Sequence, residues 1–133
     1  MWDDVGVVRS KTALQRGLAA LDEHTEELRS AGLADGDREF NLTWHDWLNL
    51  ESLIETSRVI ATAGLARENS RGAHFRDDHP GTGDLDTTRY VRIARQGGQL
   101  ILDTVPVEFS IVSPGESLID GEAGAPAVET GGS

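Results

Sequence analysis

At 133 residues the chain fits one domain with a real core, but hydrophobic residues make up only 38% and glycines number 15, so irregular segments should accompany the folded centre. A formal net charge of −11 repels phosphate backbones and anionic lipid, which argues against nucleic acid or a membrane surface as partner. The absence of cysteine excludes disulfides, thiol catalysis and iron–sulfur ligation by this chain, and no apolar run approaches the roughly 20 residues of a membrane span, so a cytoplasmic chain without direct membrane insertion is expected.

Met1 to Arg9 is a partly apolar lead-in, through Trp2, Val5, Val7 and Val8, that suits a short helix of a turn or two. It lacks the basic region followed by an apolar core that marks a signal peptide. Ser10 is a helix cap, and Thr12 to Arg29 reads as the first long helix, with Leu14, Leu18, Leu21 and Leu28 on one stripe. Gly32 stands where a glycine ends a helix, and residues 34–39 form a polar connector.

Thr43 with Asp46 resembles a capping box for the second long helix. Leu50, Leu53, Ile54, Ser57, Ile60, Ala61, Gly64 and Leu65 then recur at three and four, a wide stripe expected to be core, with some of it exposed in the isolated chain where a partner domain would cover it. Its small C-terminal residues would let another backbone approach. The polar connector predicts an antiparallel pair of long helices.

Asn69 to Asp86 is dense in charge, glycine and turn formers and reads as loop. Thr88 to Arg95 alternates, with Val91 and Ile93 facing one way. Gln96-Gly97-Gly98-Gln99 is a hairpin turn and Leu100 to Val105 the return strand, interrupted by Pro106, with Val107 to Val112 as an extension or a further strand. The fold class is therefore mainly α: an antiparallel helical bundle of two long helices and a short N-terminal one, with a C-terminal β-hairpin. Residues 1–112 form the domain. Residues 113–133, acidic and without a basic residue, form a tail expected to be flexible.

The run from Ala66 to Pro80, AREN-SRGAH-FRDDHP, carries the most information. It resembles the "ESRGAH-x-R-x-D-x-P" segment in the C-terminal domain of the succinate dehydrogenase, fumarate reductase and L-aspartate oxidase flavoproteins. Met1 to Arg9 is similar to the "M-W-x-x-x-G-I-V-R" start of that domain. The Gly97-Gly98 turn with Leu100-Ile101-Leu102-Asp103 resembles its closing hairpin, so the likeness runs in order over residues 1–112. Asn69 departs from the usual charged residue before Ser70. Thr88-Arg89-Tyr90 stands where respiratory members have Trp–Lys–His, which leaves both respiratory and soluble members open.

The resemblance implies the structural and docking domain of an FAD-dependent oxidoreductase, packed on the FAD-binding domain of the same polypeptide or complex. An iron–sulfur subunit is a further partner it implies, with membrane association only through the complex. No GxGxxG follows a strand and no substrate-binding segment of the family is matched, so no catalytic, cofactor-binding or metal residue is assigned here; FAD belongs to the presumed full-length protein. Ser70, Arg71, Gly72, His74, Arg76 and Asp77 are the inter-domain docking candidates. The arginine forks suit carboxylates or carbonyls of the FAD domain, and internal pairing with Glu68, Asp77 or Asp78 is the alternative. The rival functional reading is a separately encoded helical interaction module or small subunit without redox activity. Self-association through the docking face would make it a homo-oligomer.

Other groups weigh less. His74 and His79 with Asp77 and Asp78 form a poorly preorganised metal set on a Gly/Pro loop, and His74 has no nucleophile spaced to it for acid–base work. His24 and His45 read as surface or boundary residues. Trp44 and Trp47, three apart on one helix face, suit core or inter-domain packing better than a binding platform.

Overall fold

A computed structural model describes residues 1–33, 36–37 and 39–116; the acidic tail from residue 117 lies outside the described residues. In chain order the elements are α1 (Trp2–Val5), β1 (Val8–Arg9), α2 (Lys11–Ala31), α3 (Leu42–Ala66), β2 (Phe75–Arg76), β3 (Arg89–Gln96) and β4 (Gln99–Pro106).

Both long helices start on side-chain caps. Ser10 Oγ accepts from the Ala13 amide at 3.2 Å and opens α2, as its sequence suggests. The cap of α3 is Asn41, whose Oδ1 accepts from the Trp44 amide at 2.8 Å, so Thr43 lies inside the helix and the expected capping box does not form. Asn41 wins because its amide also reaches back to the Asp37 carbonyl at 2.7 Å, tying the connector to the helix start. Gly32 ends α2 at φ 58°, a conformation that costs an L side chain and costs glycine little.

Helices α2 and α3 pack with opposite chain directions. Leu14 neighbours Gly64, Arg58 pairs with Asp22, and Trp47 Nε1 donates to the Leu28 carbonyl at 3.1 Å. The core at one end of this pair is Val5, Leu14 and Ala61, flanked by Leu18 and Leu65. The architecture is a mixed fold: two long helices, the short α1 and an antiparallel hairpin, as expected in chain order. No third long helix among the described residues covers α3, so part of its expected core stripe faces outward: Leu50, Leu53 and Ile60 are exposed, Leu53 at 61%, and Ile54, Ser57 and Leu65 are half-buried. Only Ala61 and Gly64 of that stripe are buried.

Glycine placement also differs from expectation. Gly64 faces the Leu14 side chain and the His74 ring, not another backbone. A Cβ built there meets Leu14 Cδ2 at 3.6 Å, ordinary contact, so Gly64→Ala should gain up to about 1 kcal/mol from helix propensity. Gly17, in α2, is tighter: its Cβ would meet Val5 Cγ2 at 3.0 Å and Asp4 Cβ at 3.2 Å, so Gly17→Ala pushes on α1. Urea unfolding should therefore rank Gly64→Ala above Gly17→Ala, and the reverse order would contradict the close seat of α1 on α2.

Strands β3 and β4 pair antiparallel from Arg89–Pro106 to Gln96–Gln99, closed by Gly97 and Gly98 at φ 58° and 83°. Val91 and Ile93 share the half-buried face, as their alternation predicts. Pro106 ends β4, and no strand forms over 107–112. Two features had no periodic signal. The lead-in contributes strand β1, and the 69–86 loop contributes β2, which pairs with it in parallel, Val8 beside Phe75 and Arg9 beside Arg76.

Candidate functional site

The 69–82 loop folds back on the end of α3 and on the start of α2. Gly72, at φ 57°, makes the tight turn in which the Arg71 and His74 backbones bond to each other at 2.9 and 3.1 Å. Ser70 is the hub. Its buried hydroxyl accepts from the Arg76 amide at 2.9 Å and donates to the His79 carbonyl at 2.8 Å, while its own amide donates to the Gly81 carbonyl.

Arg76 is 1% exposed. Its Nε and Nη2 donate to the two oxygens of Asp78 at 2.7 and 2.6 Å, a bidentate fork. Its Nη1 donates to the carbonyls of Gly64, Leu65 and Arg67 at 3.1, 3.2 and 3.1 Å. Those carbonyls close α3, where a helix leaves its acceptors unpaired and its dipole is negative. Asp78 Oδ2 in turn accepts from the Lys11 amide at 3.0 Å, at the positive start of α2. One ion pair thus joins the C-terminus of one long helix to the N-terminus of the other.

The Arg76 guanidinium holds the Asp78 carboxyl well below the usual carboxylate range. A depressed carboxylate stabilises the fold above its unfolded pKa, and that contribution is lost as pH falls through the folded value. Acid unfolding should therefore be steeper for the natural chain than for Asp78→Asn between about pH 4 and pH 2, a span set by the ordinary carboxylate value. Equal slopes in urea titrations across that range would contradict the clamp.

Arg71 fans over the far side of the loop. Its Nη2 donates to the Asp84 carbonyl at 2.8 Å, and Nε and Nη1 donate to the Thr82 carbonyl and Thr88 hydroxyl. His74 is 7% exposed, with Nδ1 2.9 Å from Arg9 Nη1. Asp77 keeps its side chain exposed while its amide donates to the Arg9 carbonyl at 2.9 Å.

Of the six docking candidates, Ser70, His74 and Arg76 are therefore turned inward, with polar atoms engaged within the chain. For Arg76 the alternative of internal pairing with Asp78 is what the structure has, alongside the carbonyls at the end of α3. Arg71 is half-buried, and Gly72 and Asp77 are exposed. The exposed apolar surface comprises Trp2, Leu50, Leu53 and Ile60, which the sequence picked out, and Phe40 and Leu42, which it did not; Phe40 is entirely open. Trp44 shares that exposure, whereas Trp47 is half-buried against α2.

The remaining surface has little chemistry. A groove between α2, α3 and the hairpin turn holds Arg29, Arg58 and Arg95, but each already pairs with a carboxylate: Glu26, Asp22 and Glu55 respectively. Among the described residues no group of three or more His, Asp or Glu side chains is placed to hold a metal ion, and no helix is long and apolar enough to cross a membrane. The described residues also do not fit a flavin dinucleotide. The one helix that follows a parallel strand, α2 after β1, already gives its first amides to Asp78 and Ser10, which leaves no cradle for a pyrophosphate.

Comparison with known proteins agrees with this architecture. The family described as "Fumarate reductase flavoprotein C-term" matches residues 1–118. The chain is 34% identical over 97 residues to a succinate dehydrogenase flavoprotein subunit of Coxiella burnetii, covering 73% of this chain and 16% of that protein. It is 30% identical over 112 residues to a fumarate reductase flavoprotein subunit of Mycobacterium tuberculosis, covering 84% and 19%. Among solved structures, a mutant FrdA of E. coli quinol fumarate reductase superposes with a TM-score of 0.78 at 25% identity, over 92% of this chain and 22% of that one. The chain thus spans about a fifth of the length of the proteins it matches. It belongs to the fumarate reductase flavoprotein C-terminal family and corresponds to the C-terminal domain of succinate dehydrogenase and fumarate reductase flavoprotein subunits.

Proposed function

We propose that this domain buttresses the FAD-binding domain of an oxidoreductase acting on succinate, fumarate or a related substrate such as L-aspartate. FAD and the reacting groups belong to the rest of that protein; this chain supplies packing surface and no catalytic residue. An iron–sulfur subunit is the further partner of such a complex, and membrane association comes through the complex. Packing against the larger domain would complete the helix pair into a bundle.

The observation that carries this reading is the open apolar face of α3. Leu50, Leu53 and Ile60 repeat at helical spacing, as a core stripe does, yet all three remain exposed among the described residues. The rim of the loop, through Gly72, Asp77 and the half-buried Arg71, adds polar contacts at the C-terminal end of α3. The test is a binding titration of this chain against the remainder of the flavoprotein. Leu53→Asp should weaken association roughly 30-fold, as expected for an apolar anchor worth about 2 kcal/mol, and Arg71→Ala should weaken it less. Absence of binding by a demonstrably folded chain would favour the separately encoded interaction module, and sedimentation would then show whether the face pairs with itself.

A further inference from the structure

His74 sits where three elements meet. Its ring reaches Arg9 of β1 and the Arg67 carbonyl at the end of α3, and it lies beside Gly64 and Leu14 in the helix pair. The contact with Arg9 fixes its protonation. A guanidinium has only donors, so at 2.9 Å from Arg9 Nη1 the Nδ1 atom must accept through its lone pair. The ring is therefore neutral, with its proton on Nε2 toward the Arg67 carbonyl at 3.4 Å.

The charges that act most on the ring are cations. Arg9 comes from β1, Arg67 from the end of α3 and Arg76 from β2, and α2 contributes only the uncharged Leu14. Arg76 is neutralised by Asp78, and Glu68 and Asp77 also act on that arginine, while the charges acting most on the ring are the three cations. Burial first, and then these cations, hold the His74 pKa below the ordinary histidine value. Protonation would put an N–H on Nδ1 against the Arg9 donor and add a further cation to the group.

Arg9 is also the residue through which β1 is held. Its carbonyl accepts from the Asp77 amide, its backbone pairs beside Arg76, and its Nε donates to the Val5 carbonyl at 3.3 Å. A strand two residues long has few other bonds to keep it in place. We propose that His74 is a proton-sensitive latch: neutral, it holds strand β1 against the 71–79 loop through Arg9, and protonated, it releases that strand. The sign follows from linkage. The latch stabilises the fold above the unfolded histidine pKa, and its contribution is lost as pH falls through the lower folded value. The latch lies within this chain and does not depend on the buttressing role.

The test is an NMR titration of the chain from pH 8 to pH 4. Ring nitrogen shifts should identify the Nε2–H tautomer, and His74 should protonate below the ordinary histidine value. The Asp77 amide, which bonds to Arg9, should move with the His74 midpoint and lose about tenfold or more of its exchange protection below it, after correction for intrinsic exchange. Arg9→Gln should raise the His74 midpoint, and His74→Gln, which cannot protonate, should abolish the Asp77 step. A His74 midpoint at or above that of free histidine, or an Asp77 amide indifferent to that midpoint in the natural chain, would overturn the proposal.

Discussion

Arg76→Ala should lower the unfolding free energy by about 3 kcal/mol, near the lower end for removing one partner of a buried ion pair. The lower end applies because the Asp78 side chain keeps 31% of its surface in solvent and can rehydrate, whereas Arg76 itself has none to spare. What cannot rehydrate are the carbonyls of Gly64, Leu65 and Arg67, which share the buried Nη1. The loss also frees Asp78 from the geometry in which it caps Lys11, so the start of α2 and the end of α3 weaken together. Arg76→Lys should recover only part of the difference. One ammonium cannot fork onto both carboxylate oxygens and cap three carbonyls as well. Urea denaturation followed by circular dichroism should rank the natural chain above Arg76→Lys and that above Arg76→Ala. A loss under about 1 kcal/mol, the range of exposed ion pairs, would show that the clamp is ornamental.

Leu14→Ala should cost a comparable amount, about 3 kcal/mol from lost transfer energy and the cavity left behind. Leu14 is fully buried and touches both ends of the small core: it packs with Val5 and Ala61 and lies against Gly64. Few other large side chains are buried, so little is available to fill the void. Leu53→Ala is the matched control. It removes the same atoms from an exposed site and should change stability by less than about 0.5 kcal/mol. Similar losses for the two leucines would mean that the α3 stripe is buried in the isolated chain, which would remove the main support for docking through it.

The contrast between those leucines marks the limit of periodicity. Helical spacing identified both stripes correctly, because 3.6-residue recurrence depends only on the sequence. It could not tell a stripe buried within the chain from one kept for a partner, because both are built of the same residues at the same spacing. The arginines of the loop show a similar limit. Their residue type showed that planar forks would bind carboxylate or carbonyl oxygens. Whether those oxygens belonged to another domain or to α3 depended on where the loop folded, and Arg76 is directed inward by the nearby end of that helix.

The sequence by itself determined the local elements: the Ser10 cap, the Gly32 stop, the two long helices, the Gly97-Gly98 hairpin with Val91 and Ile93 on one face, and, through the SRGAH run, the family. Each is a property of neighbouring residues, set by side-chain period, capping chemistry or the freedom of glycine at positive φ. Only the tertiary structure decided the parallel pairing of β1 with β2, the Asn41 cap, the burial of Ser70, His74 and Arg76, and the exposure of α3. The β1–β2 pairing and the Arg9–His74 contact join residues more than sixty positions apart, and two-residue strands carry no period to announce them. The energy of a long-range contact depends on which surfaces meet, and that is fixed only when the chain has folded.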